Sequence, residues 1–333
     1  MLSISPGLTI QRQSGLDWFG IAFGATLMFI NTLLFGYAVW YREYPPLKAK
    51  NMPLIAMLYL CMLIWYLGTI GTNYNTPGHF NFSSSCILFA TWFRVYLGVF
   101  LFLHLHIFRI YTYIRIFKRL RRVTVKVYVY GAAIYLVIIL GYGVPLTVLR
   151  STLSVQYLPE LGTCYYGTTF AELTFAIIWA GWFSIVAITF IARDINTSFN
   201  EYHEMVLITT IGSITLTYQT ISQNISRGYT LRVWSRAIGT FSEYLVSQTS
   251  LFILLCVPVY NCMFHREEYK RRFFEKMRAD GMVARYNYSV AMSTGVDTST
   301  TAAPTQAPRN EPTSNFTTDA PGNSESSSSD EIV

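Results

Sequence analysis

From Trp18 to Tyr41 the chain carries no charged side chain, and uncharged blocks of similar length recur along the sequence. A helix rising 1.5 Å per residue needs roughly 20 apolar residues to cross hydrocarbon. Apolar runs between polar breaks lie at approximately 17–41, 52–71, 87–111, 127–149, 169–192, 205–223 and 238–262, which makes seven candidate spans. The sixth, EMVLITTIGSITLTYQTISQN, is rich in Thr and Ser and is the weakest of them. Only 13% of the 333 residues are charged and 52% are hydrophobic, whereas a soluble domain carries about a quarter charged residues. Such a chain has too little polar surface to cover itself in water. The expected fold class is therefore an all-α membrane protein, a seven-transmembrane helix bundle.

Charge placement orients the bundle, because Lys and Arg in short loops favour the cytoplasmic side. With the N-terminus outside, the inner segments 42–50, 115–126, 193–204 and 265–278 hold 16 basic residues. The outer segments 1–16, 72–86, 148–168 and 226–237 hold 5. A six-span count would separate the basic tail from its matching loops, so seven spans with a cytoplasmic C-terminus fit best. Two segments run against the pattern. The third inner loop has Arg193 against Asp194, Glu201 and Glu204, and the last outer loop carries Arg227, Arg232 and Arg236. In this frame LHLHIFRIYTYIRIFKRLRR (Leu103–Arg122) is the inner end of span three, with Tyr111 and Tyr113 in the interfacial belt. Its basic residues face lipid headgroups, and a nucleic-acid partner is not expected.

The chain divides into a short extracellular N-terminus (1–16), a transmembrane domain (17–263), a juxtamembrane helix (264–278) and a tail (279–333). Residues 1–16 lack the basic and apolar regions of a cleavable signal, so span one is expected to act as its own targeting signal. Tyr269, Phe273, Phe274 and Met277 recur at helical spacing among Lys and Arg, which describes an amphipathic helix at the anionic leaflet. The tail is rich in Ser, Thr, Asn and Pro and is expected to be disordered. Its serines beside Glu325, Asp330 and Glu331 are either phosphorylation sites or a solvated tail. The sequons at Asn81 and Asn224 fall outside, as candidate glycosylation sites.

Several polar groups sit where lipid makes them expensive. Arg94 lies inside span three and Glu243 inside span seven, with Glu172 near the outer end of span five. Charges at such depths usually face a bundle interior. They mark either a polar ligand cavity flanked by Trp92 or Tyr96, or a structural ion pair, or an Arg94 that snorkels toward the outer interface. Cys86 opens span three and Cys164 lies in the second outer loop; they are either a disulfide over the mouth of the bundle or two free thiols. Cys61, Cys256 and Cys262 read as core residues, with acylation the alternative for Cys262. His104 and His106 are two apart on one helix and supply no convergent ligand set, so no metal site is expected. Trp179 and Trp182 can share one helix face for packing. Pro258 loosens the inner end of span seven. Span seven has no lysine, which excludes a retinal Schiff base there, and no cofactor is expected.

The third span, CILFATWFRVYLGVFLFLHLHIFRIYTYIRIF, with seven spans, basic inner loops and an amphipathic juxtamembrane segment, resembles the G-protein-coupled receptors. It is most similar to the glutamate/GABA-B class and to the fungal seven-span receptors that in some members carry an RGS domain. In those groups span three starts with the disulfide cysteine and closes with a basic and aromatic segment. These features map onto Cys86 and onto Arg109, Tyr111, Arg115, Ile116 and Phe117. The resemblance covers roughly residues 15–278. It departs in having no large ectodomain, no RGS domain and no Asp-Arg-Tyr triplet, since Arg109 lies between Phe108 and Ile110.

The resemblance implies a plasma-membrane receptor that senses an extracellular ligand in a transmembrane cavity and activates a heterotrimeric G protein. It implies a Cys86–Cys164 bridge and a G-protein interface or switch built on Arg109, Tyr111, Arg115, Pro258 and Tyr260. Kinase or arrestin-like contacts would fall on the tail. Two other classes stay open. A transporter of a small polar or charged solute would use Arg94 and Glu243, although no repeated hydropathy pattern accompanies them. An intramembrane enzyme would need acids or histidines converging at one depth. His104, His106, Glu172 and Glu243 have no such spacing, so the chain is expected not to be an enzyme.

Overall fold

The computed structural model describes residues 14–73, 86–117, 124–148, 155–158, 163–193, 201–225 and 232–279. The expectations for Asn81, the basic run 118–122 and the Ser-rich tail lie outside the described residues. The first helix, α1 (Gly15–Trp40), begins with a capping box: the Ser14 hydroxyl accepts the Leu16 N–H at 3.3 Å, and the Asp17 carboxylate accepts the Ser14 N–H at 2.9 Å. A single turn, α2 (Pro45–Lys48), opens on a proline whose missing N–H costs nothing at that position. It leads into α3 (Met52–Asn73).

A π-helical stretch, Ile87–Phe100, continues directly into α4 (Leu101–Phe117). Next come α5 (Val125–Ile138), a π turn (Ile139–Gly143) and α6 (Val144–Val148), without a break. Strands β1 (Val155–Leu158) and β2 (Thr163–Tyr166) pair antiparallel, with Tyr157 opposite Cys164. Among the described residues this hairpin is the departure from an all-helical chain. The remaining helices are α7 (Thr168–Ala192), α8 (Glu201–Ile225), α9 (Val233–Phe264) and α10 (Arg266–Ala279). Among the described residues six helices are long and apolar enough to cross a bilayer: Gly15–Trp40, Met52–Asn73, Ile87–Arg115, Val125–Val148, Thr169–Ala192 and Val233–Phe264. The protein is a multi-pass, largely helical membrane bundle.

Cys86 and Cys164 are joined by a disulfide, with their Cα atoms 5.7 Å apart. The bridge ties β2 to the start of the π stretch and marks one end of the bundle. The other end carries α10 and the basic residues around it. Helices α1 and α9 run parallel along their shared length. Arg236 Nη2 meets Asp17 Oδ2 at 3.3 Å near the disulfide end, both side chains almost fully buried. Further along, Asn31 Nδ2 donates to the backbone and side-chain oxygens of Gln248, each at 2.9 Å. At the basic end Lys50 Nζ donates to Glu204 Oε1 at 2.7 Å, and Tyr44 Oη donates to the Arg266 carbonyl at 2.9 Å. Burial pushes the Tyr44 phenol above its usual pKa. Phe273 is buried against the core and fastens α10 to this end.

Helix α8 explains its own weak sequence signal. Leu207, Ile214 and Ile221 recur every seven residues and are exposed, forming an apolar outer stripe. Thr209, Thr210, Ser213, Thr215 and Thr220 each donate their hydroxyl to the carbonyl four residues back. These five hydroxyls, which depress its hydropathy, are thereby satisfied within the helix. Two of the charges that disturbed the loop pattern are likewise paired, Glu204 with Lys50 and Arg236 with Asp17.

Helix α3 and the π stretch meet backbone against backbone. A Cβ on Gly68 would lie 2.6 Å from the backbone nitrogen of Arg94, and backbone cannot swing aside as a side chain can. Gly36, by contrast, has open space around its Cβ position. Overpacking of this kind typically costs about 1–3 kcal/mol. Gly68→Ala is expected to lower the unfolding midpoint of the detergent-solubilised protein, while Gly36→Ala leaves it unchanged or slightly raised. Equal melting of the two variants would contradict the backbone contact.

Candidate functional site

Arg94 projects from the π stretch into the bundle and meets Glu243 of α9. Its Nε donates to Glu243 Oε2 at 3.1 Å and its Nη2 to Glu243 Oε1, a two-pronged pairing that matches the planar guanidinium to the carboxylate. Thr69 Oγ1 of α3 adds a bond to Glu243 Oε2 at 3.3 Å. Arg94 Nη1 donates to Tyr166 Oη at 3.2 Å, and that hydroxyl donates onward to the Ala90 carbonyl at 3.2 Å. The guanidinium carbon also lies 5.7 Å from the Tyr166 ring centroid. Burial raises the Tyr166 phenol pKa, with the neighbouring Arg94 charge acting in the opposite direction. The hairpin is therefore fixed twice, by its disulfide and by this tyrosine.

Beside the pair lies a cavity of about 150 Å³. Arg94, Glu243, Tyr166, Gln219 and Gln223 form its polar part near the disulfide end. Trp65, Phe102 and Leu103 line it from α3 and α4, and Phe175, Ile178 and Trp182 from α7. Leu216 of α8 and Val246 of α9 complete the apolar wall. Trp182 lies against Gly212, where a Cβ would come 2.1 Å from the indole ring, and donates its N–H to Ser213 Oγ at 2.9 Å. Trp179 donates similarly to Thr220 Oγ1 at 3.0 Å. These two tryptophans do more than pack, since they dock α7 onto α8 by hydrogen bonds.

Of the candidate cavity residues, Arg94 and Glu243 come together here, and three others lie elsewhere. Glu172 is exposed on α7. Tyr96 is buried in a separate aromatic cluster with Trp92, Phe100 and Tyr142, and its carbonyl accepts the Tyr135 hydroxyl at 2.6 Å. Trp92 packs in that same cluster and does not line the cavity. Spacing on one helix cannot tell which face turns toward the cavity when aromatic residues surround it.

At the basic end Arg109 is buried. It lines a small recess with Ile110 and Tyr113 of α4, Thr189 and Ala192 of α7, and Tyr202 and Met205 of α8. Arg115 Nη1 donates to Tyr111 Oη at 3.0 Å, a bond within one helix. Pro258 is buried inside α9, which continues through it to Phe264. Tyr260 is exposed, with its ring beside Phe264, and is turned away from the bundle interior. Asn224 is exposed in the last turn of α8, its amide donating to the Thr220 carbonyl at 2.9 Å. His106 Nδ1 lies 2.9 Å from the Phe102 carbonyl of its own helix, and His104 packs against Tyr135.

No protein-family model matches the chain, and no curated protein matches it.

Removing one member of a buried pair strands the other charge, which typically costs about 3–5 kcal/mol. The side chains of Arg94 and Glu243 keep 16% and 18% of their exposure, which places the expected cost near the lower end. Glu243→Met and Arg94→Met should each destabilise the solubilised protein, while the double variant melts closer to the parent. Additive losses in the double variant would argue against direct coupling.

Proposed function

We propose that the protein is a receptor-like signal transducer that senses an extracellular small molecule in this cavity and activates a heterotrimeric G protein. The observation that carries the reading is the Arg94–Glu243 pair bordering a cavity lined by six helical elements, beneath a disulfide-tethered hairpin. A seven-span bundle is part of the proposal. If α8 did not cross, α9 would run opposite to α1, and the Asp17–Arg236 and Asn31–Gln248 contacts favour parallel packing instead. The disulfide suits an oxidising exterior, and the surplus of basic residues at the other end suits the cytoplasm. With that orientation the protein resides in the plasma membrane with its N-terminus outside.

Arg109 takes the role of the G-protein contact. Its recess joins α4, α7 and α8, so a change in their spacing alters how that cation is presented. A ligand that prefers one arrangement of these helices shifts the population toward it. Tyr111, Arg115 and Pro258 support the inner ends of α4 and α9, and kinase or arrestin-like contacts belong to the tail. A carrier for a polar solute would need a continuous path past the cavity. Leu251, Leu254 and Leu255 are fully buried in the core cluster, which favours the receptor reading.

A compound screen in cells, read out by ligand-dependent guanine-nucleotide exchange, tests the proposal. Arg109→Ala should keep surface expression and reduce the exchange rate about tenfold or more. Normal coupling in that variant removes the role of Arg109, and substrate flux in proteoliposomes without exchange would replace the receptor with a carrier.

A further inference from the structure

Most polar groups that border the cavity are already bonded to protein, and one buried exception defines what it can hold. Arg94 and Glu243 satisfy each other, with Tyr166 and Thr69 completing the set. The Trp182 N–H is committed to Ser213, the Thr215 hydroxyl to the Ile211 carbonyl at 2.7 Å, and Thr174 to Tyr142 at 3.0 Å. The Trp65 N–H is closed off from the cavity. Gln219 of α8 differs. Its amide nitrogen donates to the Gly239 carbonyl at 2.9 Å and to Ser242 Oγ at 2.6 Å. A carbonyl oxygen only accepts, so the nitrogen has to face α9 and the orientation of the amide is fixed. Gln219 Oε1 is then left with no donor among the described residues. It keeps accessible surface on a side chain that lines the cavity, in a residue only 9% exposed. The Gln223 amide, one turn further along α8, also has no hydrogen bond among the described residues, but it is half-buried and water can serve it.

We propose that the cavity takes a neutral, ring-sized apolar molecule carrying one hydroxyl or N–H group, which donates to Gln219 Oε1. This deepens, and rests on, the reading of the cavity as the ligand site. Size follows from the volume: an apolar cavity of about 150 Å³ accommodates a benzene-like body. The donor follows from Gln219, because a buried carbonyl oxygen without a partner is penalised until a donor reaches it. The rest of the molecule is apolar because Val99, Phe102, Leu103, Ile178, Leu216 and Val246 offer it no hydrogen-bonding side chain. Neutrality follows from the ion pair. An anion has no donor for Gln219 and would have to draw Arg94 off Glu243. A cation finds Glu243 already held by Arg94 and Thr69. Either brings an uncompensated charge into a mostly apolar site, which is the expensive outcome.

Five probes of similar size separate these elements: the para-fluoro forms of phenol, toluene, anisole, benzoate and benzylamine, each titrated against the full-length protein in lipid nanodiscs. A saturable bound fluorine resonance reports binding and separates it from partition into lipid. Fluorophenol should bind about tenfold tighter than fluorotoluene, as a single recovered hydrogen bond predicts. Fluoroanisole, which accepts and does not donate, should show no such gain, and the two ions should not displace fluorophenol. Val246→Phe, which fills the apolar part of the cavity, should remove the bound resonance. Gln219→Met, which keeps the length of the side chain and loses the oxygen, should bring fluorophenol and fluorotoluene to equal affinity. Equal affinities in the parent protein would overturn the donor assignment without requiring either variant to fold. A preference that survives in Gln219→Met would overturn the role of Gln219, and a bound resonance unchanged by Val246→Phe would overturn the location. Tighter binding of either ion would overturn neutrality, and no saturable binding by any probe would overturn the whole assignment. The receptor reading fails separately: fluorophenol bound as described, with no cavity ligand producing nucleotide exchange, leaves the site standing and removes the transducer. A charged compound that does drive exchange has the reverse effect.

Discussion

Helix α9 supplies a polar partner to each of four neighbouring helical elements, and the bundle depends on that sharing. Arg236 and Gln248 hold α1, Glu243 holds the π stretch, Glu243 and Thr240 hold α3, and Gly239 and Ser242 receive Gln219 from α8. In a hydrocarbon solvent the apolar surfaces of helices gain little by meeting each other, because lipid tails are as apolar as leucine. Packing and satisfied polar contacts must then set the arrangement. An unsatisfied group in that medium costs several kcal/mol, so a helix that answers four neighbours fixes their register as well as their proximity.

The cavity is a consequence of how those contacts are spaced. Where α9 meets α1 the bundle closes around buried Tyr244, and where α3 meets the π stretch it closes backbone against backbone at Gly68. Between α7, α8 and the π stretch the contacts are made by large aromatic rings and by residues that bond outward or along their own helices. Space is left beside Arg94 and Glu243. The ion pair gives one side of that space a fixed polar edge, and the tryptophans hold its opposite wall.

Much of this organisation was legible in the sequence, and the limits have physical causes. The long apolar runs, the two cysteines and the charges stranded at Arg94 and Glu243 are strong signals because lipid penalises each departure from apolarity. The partners of Lys50 and Asp17 were not legible. Lys50 and Arg236 read as ordinary loop cations, and Asp17 as a boundary residue, until the fold brought them to Glu204 and to each other. Glu172 could not be assigned a face because α7 is apolar on all sides, so its periodicity carries no direction. Trp65, Tyr166 and Gln223 were missed for a different reason. Aromatic and amide residues are common in such spans, and nothing local separates a cavity wall from a packed interior. The proposed function stands on the geometry and on the resemblance of span three.

The hydroxyl groups of α8, folded back onto their own helix, also bear on how the protein is made. A segment with this composition is a poor candidate to enter a bilayer alone. Helix α7 is synthesised just before it and presents two indole donors, at Trp179 and Trp182, to Ser213 and Thr220. In the seven-span reading these two segments are best inserted together, as a helical hairpin that leaves the translocation machinery already paired. Biogenesis would then hinge on the α7–α8 contact, well before any ligand or signalling partner is met.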